Sequence, residues 1–195
     1  MGFRFWWGLL FLTAVNVQAA ELEGVTLEDR VRVDDQELEL NGIALRTRYI
    51  YVKVYVAGLY LPEKVTTAPA AFDIRGPKRI VLVMMREASA DQFCESIGAG
   101  LRANNSEAEL AQVRDQTEDL FAKIRGVAEA RKGTRIMLDY APSLAATTLF
   151  VDGAPQGKPM PGEDFYRALL RIWLGERPVQ DDLKRTLLGQ SEEGS

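Results

Sequence analysis

Histidine is absent from the 195 residues. That removes Ser–His and Cys–His nucleophilic catalysis, histidine-ligated metal sites and the usual proton shuttle near neutral pH. One cysteine, Cys94, is present, so no disulfide can form within the chain. CxxC, HExxH and EF-hand patterns are missing. Gly153-Ala154-Pro155-Gln156-Gly157-Lys158 has the glycines and lysine of a phosphate loop, but it lies between two strand patterns and does not open a helix. Metal and organic cofactors are therefore not implied. Basic runs are missing too: net charge is −4, which argues against a nucleic-acid partner. Adjacent acids such as Asp34-Asp35 and Asp181-Asp182 read as turn and helix-start residues.

What is present is an ordinary globular composition, 47% hydrophobic and 27% charged, enough for one domain with its own core. The first 19 residues read as a secretory signal: Arg4, an apolar run over 5–15, and Val17-Gln18-Ala19 as a small-x-small cleavage site. The apolar run falls short of the ~20 residues that span a bilayer. The expectation is a chain cleaved after Ala19, without a stable transmembrane anchor, and secreted, into the periplasm if the cell is Gram-negative. The domain is then 20–188, and 189–195 a polar, disordered tail.

Within the domain, Val25/Leu27, Val31/Val33 and Leu38/Leu40 alternate as short strands, with Asp34-Asp35 as a hairpin turn. Asn41-Gly42 signals a further turn. Strands are predicted over 78–86, 134–140 and 147–151, the last turned back by Asp152-Gly153. Helical spacing runs through Ala90, Phe93, Cys94, Ile97 and Leu101, placing Cys94 in a packed stripe. A second helix runs from a Ser106/Glu109 capping box to Gly126. Two more occupy 164–174 and 179–188. Strands, helices, a strand hairpin and helices in that order predict an α+β fold, with an antiparallel sheet and the helices gathered on one side.

The central stretch is 40–62, rich in β-branched and aromatic residues and ended by Pro62. By the two-residue strand period, Tyr49, Tyr51, Lys53 and Tyr55 share one face, while Ile50, Val52, Val54 and Val56 share the other. Arg46 and Arg48 stand beside them. Arginine and a tyrosine hydroxyl converging on an apolar cavity would clamp a carboxylate or enolate, the first by a charge-assisted fork and the second by one directed hydrogen bond. Lys53 could add charge. The competing reading pairs the arginines with surface carboxylates and uses the tyrosines as filler beneath a helix.

Leu40-Asn41-Gly42-Ile43-Ala44-Leu45-Arg46, followed by Lys53-Val54-Tyr55-Val56-Ala57-Gly58-Leu59-Tyr60-Leu61, resembles the signature of the chalcone isomerase-like superfamily. Residues 149–158 and 165–175 resemble its strand hairpin and C-terminal helix. The resemblance implies an open-faced β-sandwich, a large antiparallel sheet covered on one side by helices. It also implies a choice among isomerases, fatty-acid-binding proteins and non-catalytic relatives. Arg46 falls on the family arginine. Tyr55 falls where isomerases carry threonine and fatty-acid-binding members carry the tyrosine that, with the arginine, holds the carboxylate. The isomerases' Tyr/Asn pair has no counterpart over 89–98. The resemblance therefore implies a non-catalytic protein binding a fatty acid or similar amphiphile through Arg46 and Tyr55, with Arg48 as the other possible clamp, and the leader adds the expectation that it is exported. An isomerase or lyase acting on a small enone-like substrate, and a structural or interaction protein of the envelope, are the alternatives.

Overall fold

The computed structural model describes residues 19–49, 51–127 and 129–190. The expected leader, apart from Ala19, and the last five residues of the expected tail lie outside these. The first described strands, β1 (Ala19–Leu22) and β2 (Val25–Glu28), form a small hairpin of their own. The main sheet contains β3 (Arg30–Val33), β4 (Gln36–Arg48), β5 (Val52–Leu61), β6 (Lys78–Met84), β7 (Arg135–Ala141), β8 (Ala146–Val151), β9 (Ala154–Pro155) and β10 (Met160–Pro161). Its order is β10-β8-β7-β6-β5-β4-β3, with β9 paired to β8, and the pairing is antiparallel throughout.

Local chemistry sets two of the turns. Asp34 and Asp35 both take positive φ, 52° and 58°, as a two-residue hairpin loop requires. Asp152 and Gly153 do the same at 48° and 82°. The predicted turn at Asn41-Gly42 does not form. Strand β4 runs through it to Arg48 with a register shift between Leu40 and Gly42, and pairs antiparallel with β5, which starts at Val52. The cause is tertiary. The Asn41 amide donates to the carbonyls of Leu187 (2.7 Å) and Val65 (3.0 Å), and its Oδ1 accepts from the Val65 N–H (2.7 Å). The asparagine thus serves as a buried docking post rather than a turn residue.

The helices are α1 (Ala68–Asp73), α2 (Ala90–Asn104), α3 (Glu107–Gln112), α4 (Arg114–Gly126), α5 (Glu163–Leu174) and α6 (Asp181–Leu187). Ser89 with Gln92, and Ser106 with Glu109, form reciprocal capping boxes at the starts of α2 and α3. The single helix expected from Ser106 to Gly126 is broken at Val113, whose backbone leaves the helical region (φ −108°, ψ 17°) while its side chain stays buried. Helix α5 is buried nearly all round. It crosses α2 so closely that a methyl group on Gly100 would stand 2.7 Å from Ile172 Cγ2. Cys94 is buried as expected, its thiol against the Phe121 carbonyl at 3.8 Å, and burial pushes its pKa up.

The main core lies between the helices and the sheet face carrying Ala57, Leu59, Ile80, Leu82 and Leu138. The other face is partly closed by the β1–β2 hairpin, whose Leu27 packs on Leu38, Leu40, Tyr60, Val81 and Val83. Beside this second cluster, Arg79 and Asp139 sit opposite one another on β6 and β7, joined by two 2.6 Å hydrogen bonds. Both side chains are largely withdrawn from water. Asp139→Ala would leave a buried guanidinium uncompensated and should cost about 3–5 kcal/mol, read from urea unfolding midpoints. Past α6, Gly189 and Gln190, the first two residues of the expected tail, hydrogen bond to Thr186, Arg185 and Thr66. No described helix is long and apolar enough to cross a membrane.

Candidate ligand cavity

A cavity of about 440 Å³ lies between the helical face of the sheet and helices α2 and α5. Its floor is Val54 and Tyr55 of β5 with Leu82 and Met84 of β6. Phe93 and Ile97 of α2, Ile172 and Trp173 of α5, and Val179 supply apolar walls. Arg46, Arg48, Arg86, Glu87 and Glu95 also border it. Arg48, Glu87 and Glu95 are exposed, so the cavity opens to solvent on their side. Its size falls within the ~300–1,000 Å³ of small-molecule sites.

An irregularity in β5 aims the floor residues. Arg46 pairs with Tyr55, but the next pair is Thr47 with Lys53, leaving Val54 as an extra residue. A bulge of this kind bends the strand and redirects side chains, and here consecutive residues Val54 and Tyr55 both reach the cavity. It also breaks the face assignment made from strict alternation. Tyr49 and Tyr51 are 77% and 86% exposed at the β4–β5 turn and form no part of the wall.

Tyr55 is 8% exposed. Its hydroxyl oxygen accepts a hydrogen bond from Trp173 Nε1 at 3.0 Å. Burial pushes its pKa up, against the opposing influences of Trp173 and the neighbouring Arg46, so the phenol is neutral near pH 7. With the indole occupying an oxygen lone pair, the phenol's own proton is the group left to donate, and among the described residues no acceptor takes it. Arg46, directly across the strand pair, is held from the other side. Its Nη1 donates to the Thr47 carbonyl and to Gln180 Oε1 at 3.2 Å. Gln180 Oε1 also accepts from the Thr47 N–H at 2.9 Å. The residue that begins α6 thereby fixes the arginine beside Tyr55. A guanidinium and a neutral phenol O–H side by side present one charge-assisted donor and one directed donor to an anion.

The structure thus brings Arg46, Arg48 and Tyr55 to one cavity and sends Lys53 elsewhere. Lys53 is paired with Glu23, Nζ to Oε2 2.5 Å, and does not border the cavity. Arg48 stands nearer the surface, its guanidinium 5.2 Å from the Tyr49 ring centre. Trp173 and Gln180 were not anticipated as site residues. Trp173 left a signal, an indole N–H in an apolar helix stripe that must find an acceptor when buried. Gln180 left none. Where the isomerase resemblance placed a Tyr/Asn pair, α2 presents Gln92, Phe93, Glu95 and Ser96 to the cavity. Among the described residues, no cluster of metal-ligating side chains occurs.

Comparison with known proteins agrees with this architecture. A solved structure of an Arabidopsis thaliana fatty-acid binding protein superposes with a TM-score of 0.68 at 13% identity, covering 88% of this chain and 96% of the plant protein. No curated protein matches the sequence. The family model described as chalcone isomerase-like matches residues 19–189, nearly the whole described fold. The chain belongs to the chalcone isomerase-like family.

Proposed function

We propose that the protein binds a fatty acid or similar amphiphilic carboxylate without chemically changing it. In this reading the Arg46 guanidinium and the Tyr55 hydroxyl hold the headgroup, and the apolar walls hold the chain. The observation that carries the reading is the pairing of these two donors at a cavity of about 440 Å³ whose floor and helix walls are largely apolar and whose other charged residues include the exposed Arg48, Glu87 and Glu95. The plant protein of the same fold is a fatty-acid binding protein, which supports the ligand class. Catalysis fits less well. The chain has no histidine, and the raised pKa of Tyr55 suits a donor rather than a base. Export with residues 1–19 removed is part of the same proposal and rests on the leader pattern.

The test is a homologous series of saturated fatty acids titrated calorimetrically. Each methylene that enters the apolar cavity should contribute about 0.8 kcal/mol, roughly fourfold in Kd, until the cavity is full and the gain stops. The alcohol of matching length, lacking the carboxylate charge, should bind at least about tenfold more weakly. An affinity independent of chain length, or equal for acid and alcohol, would contradict the reading.

A further inference from the structure

The β4–β5 turn has features that ligand binding inside the cavity does not use. Tyr49 and Tyr51 are 77% and 86% exposed, and Leu144 is the other large hydrophobic side chain so exposed among the described residues. The turn is tight, with the Tyr51 N–H bonded to the Tyr49 carbonyl at 2.7 Å. Tyr49 has a φ of +51°, a left-handed conformation unfavourable for an aromatic residue. Glycine or asparagine would suit that backbone better. Internal packing does not account for a tyrosine there, because its ring lies in solvent. The sequence around the tip carries charge of one sign: between Glu39 and Glu63 there is no carboxylate, while Arg46, Arg48 and Lys53 fall within the stretch. Glu23 neutralises Lys53, whereas Arg48 sits over the Tyr49 ring. Arg48 also borders the cavity, whose opening carries Arg86 and the exposed Glu87 and Glu95 as well, so the tip stands beside that opening and adds positive charge to it.

We infer that this hairpin tip docks on a bilayer surface bearing anionic lipid. Tyrosine is suited to the boundary between headgroups and acyl chains, where its ring is apolar-facing and its hydroxyl stays wet. Arginine beside it is drawn to the negative surface. Docking of Tyr49 and Tyr51 sets the mouth of the cavity against the lipid, where an amphiphile can enter or leave without crossing water. The docking is read from the hairpin alone; the loading of a lipid-derived acid rests on the proposed function.

The experiment is co-sedimentation of the exported chain with vesicles of phosphatidylcholine alone or mixed with phosphatidylglycerol. Wild type should pellet with the anionic vesicles, less so at high salt. Tyr49→Ser/Tyr51→Ser should weaken this by at least about tenfold, and Arg48→Glu by roughly tenfold. Fatty-acid loading of the double tyrosine variant from solution, read by native mass spectrometry, should match wild type, which separates a failure of docking from a failure of ligand binding. The inference is overturned if wild type ignores anionic vesicles or if the double tyrosine variant pellets equally well. A dimer in sedimentation velocity that the tyrosine changes abolish would also overturn it, since the tip would then be meeting a second copy of the chain.

Discussion

Replacing Arg46 by alanine and Tyr55 by phenylalanine together should abolish measurable fatty-acid binding, while each change alone weakens it by about 10- to 100-fold. The estimate follows from hydrogen bonds to a charged group, each worth about 1.5–3 kcal/mol, with every 1.4 kcal/mol a factor of ten. The two single variants should differ in stability. Tyr55 accepts the Trp173 indole N–H in the core, so phenylalanine leaves that donor buried and unpaired, at a cost of about 1–3 kcal/mol. Arg46 bonds at the partly exposed end of β4, to Thr47 and Gln180, and its loss should lower the melting temperature much less. Calorimetric binding with thermal melts on the same samples separates the two effects. If Tyr55→Phe melts lower but binds undiminished, the phenol is a structural partner of Trp173 and not a headgroup ligand.

Gly42→Ala is expected to be among the most damaging single substitutions in the chain. An added Cβ would lie 2.2 Å from the Thr186 carbonyl oxygen and 2.7 Å from that of Leu187. Both belong to the backbone of the last turn of α6, and backbone cannot swing aside as a side-chain tip can. The helix must move away from β4, stretching the Asn41 bond to Leu187. We expect a loss of about 3 kcal/mol or more, read from denaturant midpoints. Ligand affinity should fall with it, because Gln180 at the head of the same helix fixes Arg46. Gly58→Ala makes an instructive control. Its nearest clash, 2.4 Å, is with the Leu27 Cδ1 methyl, a side-chain end that can rotate, so the cost should be clearly smaller. A Gly42→Ala protein that melts with wild type would show that α6 is not held against β4 in this way.

These two cases also mark what could be read from the chain before its structure. The strand and helix order, the Asp34-Asp35 and Asp152-Gly153 turns and both capping boxes follow from local chemistry, and local chemistry is what a sequence displays. The family motif likewise pointed to Arg46 and Tyr55, which the fold pairs across two strands at the edge of one cavity. Position-by-position reasoning failed where distant residues decided the outcome. Asn41-Gly42 has the composition of a turn, but Val65 and Leu187 use the asparagine as a docking post, and the strand continues through it with a register shift. Alternation placed Tyr49, Tyr51 and Lys53 with Tyr55, but one extra residue at Val54 changes the phase of the strand. Lys53 then meets Glu23 on a hairpin far away in sequence. Gln180 lies 134 residues from Arg46, and nothing in its local sequence indicates their contact.

Native mass spectrometry of the protein purified after expression of its full sequence, followed by organic extraction, tests the central claim most directly. The account predicts a mass adduct of one fatty acid or similar amphiphile per chain on wild type, absent from the Arg46→Ala/Tyr55→Phe protein, on a polypeptide whose mass fits a chain starting at Ala20. Wild type that carries no lipid, and gains no melting temperature when fatty acids are added, would contradict it.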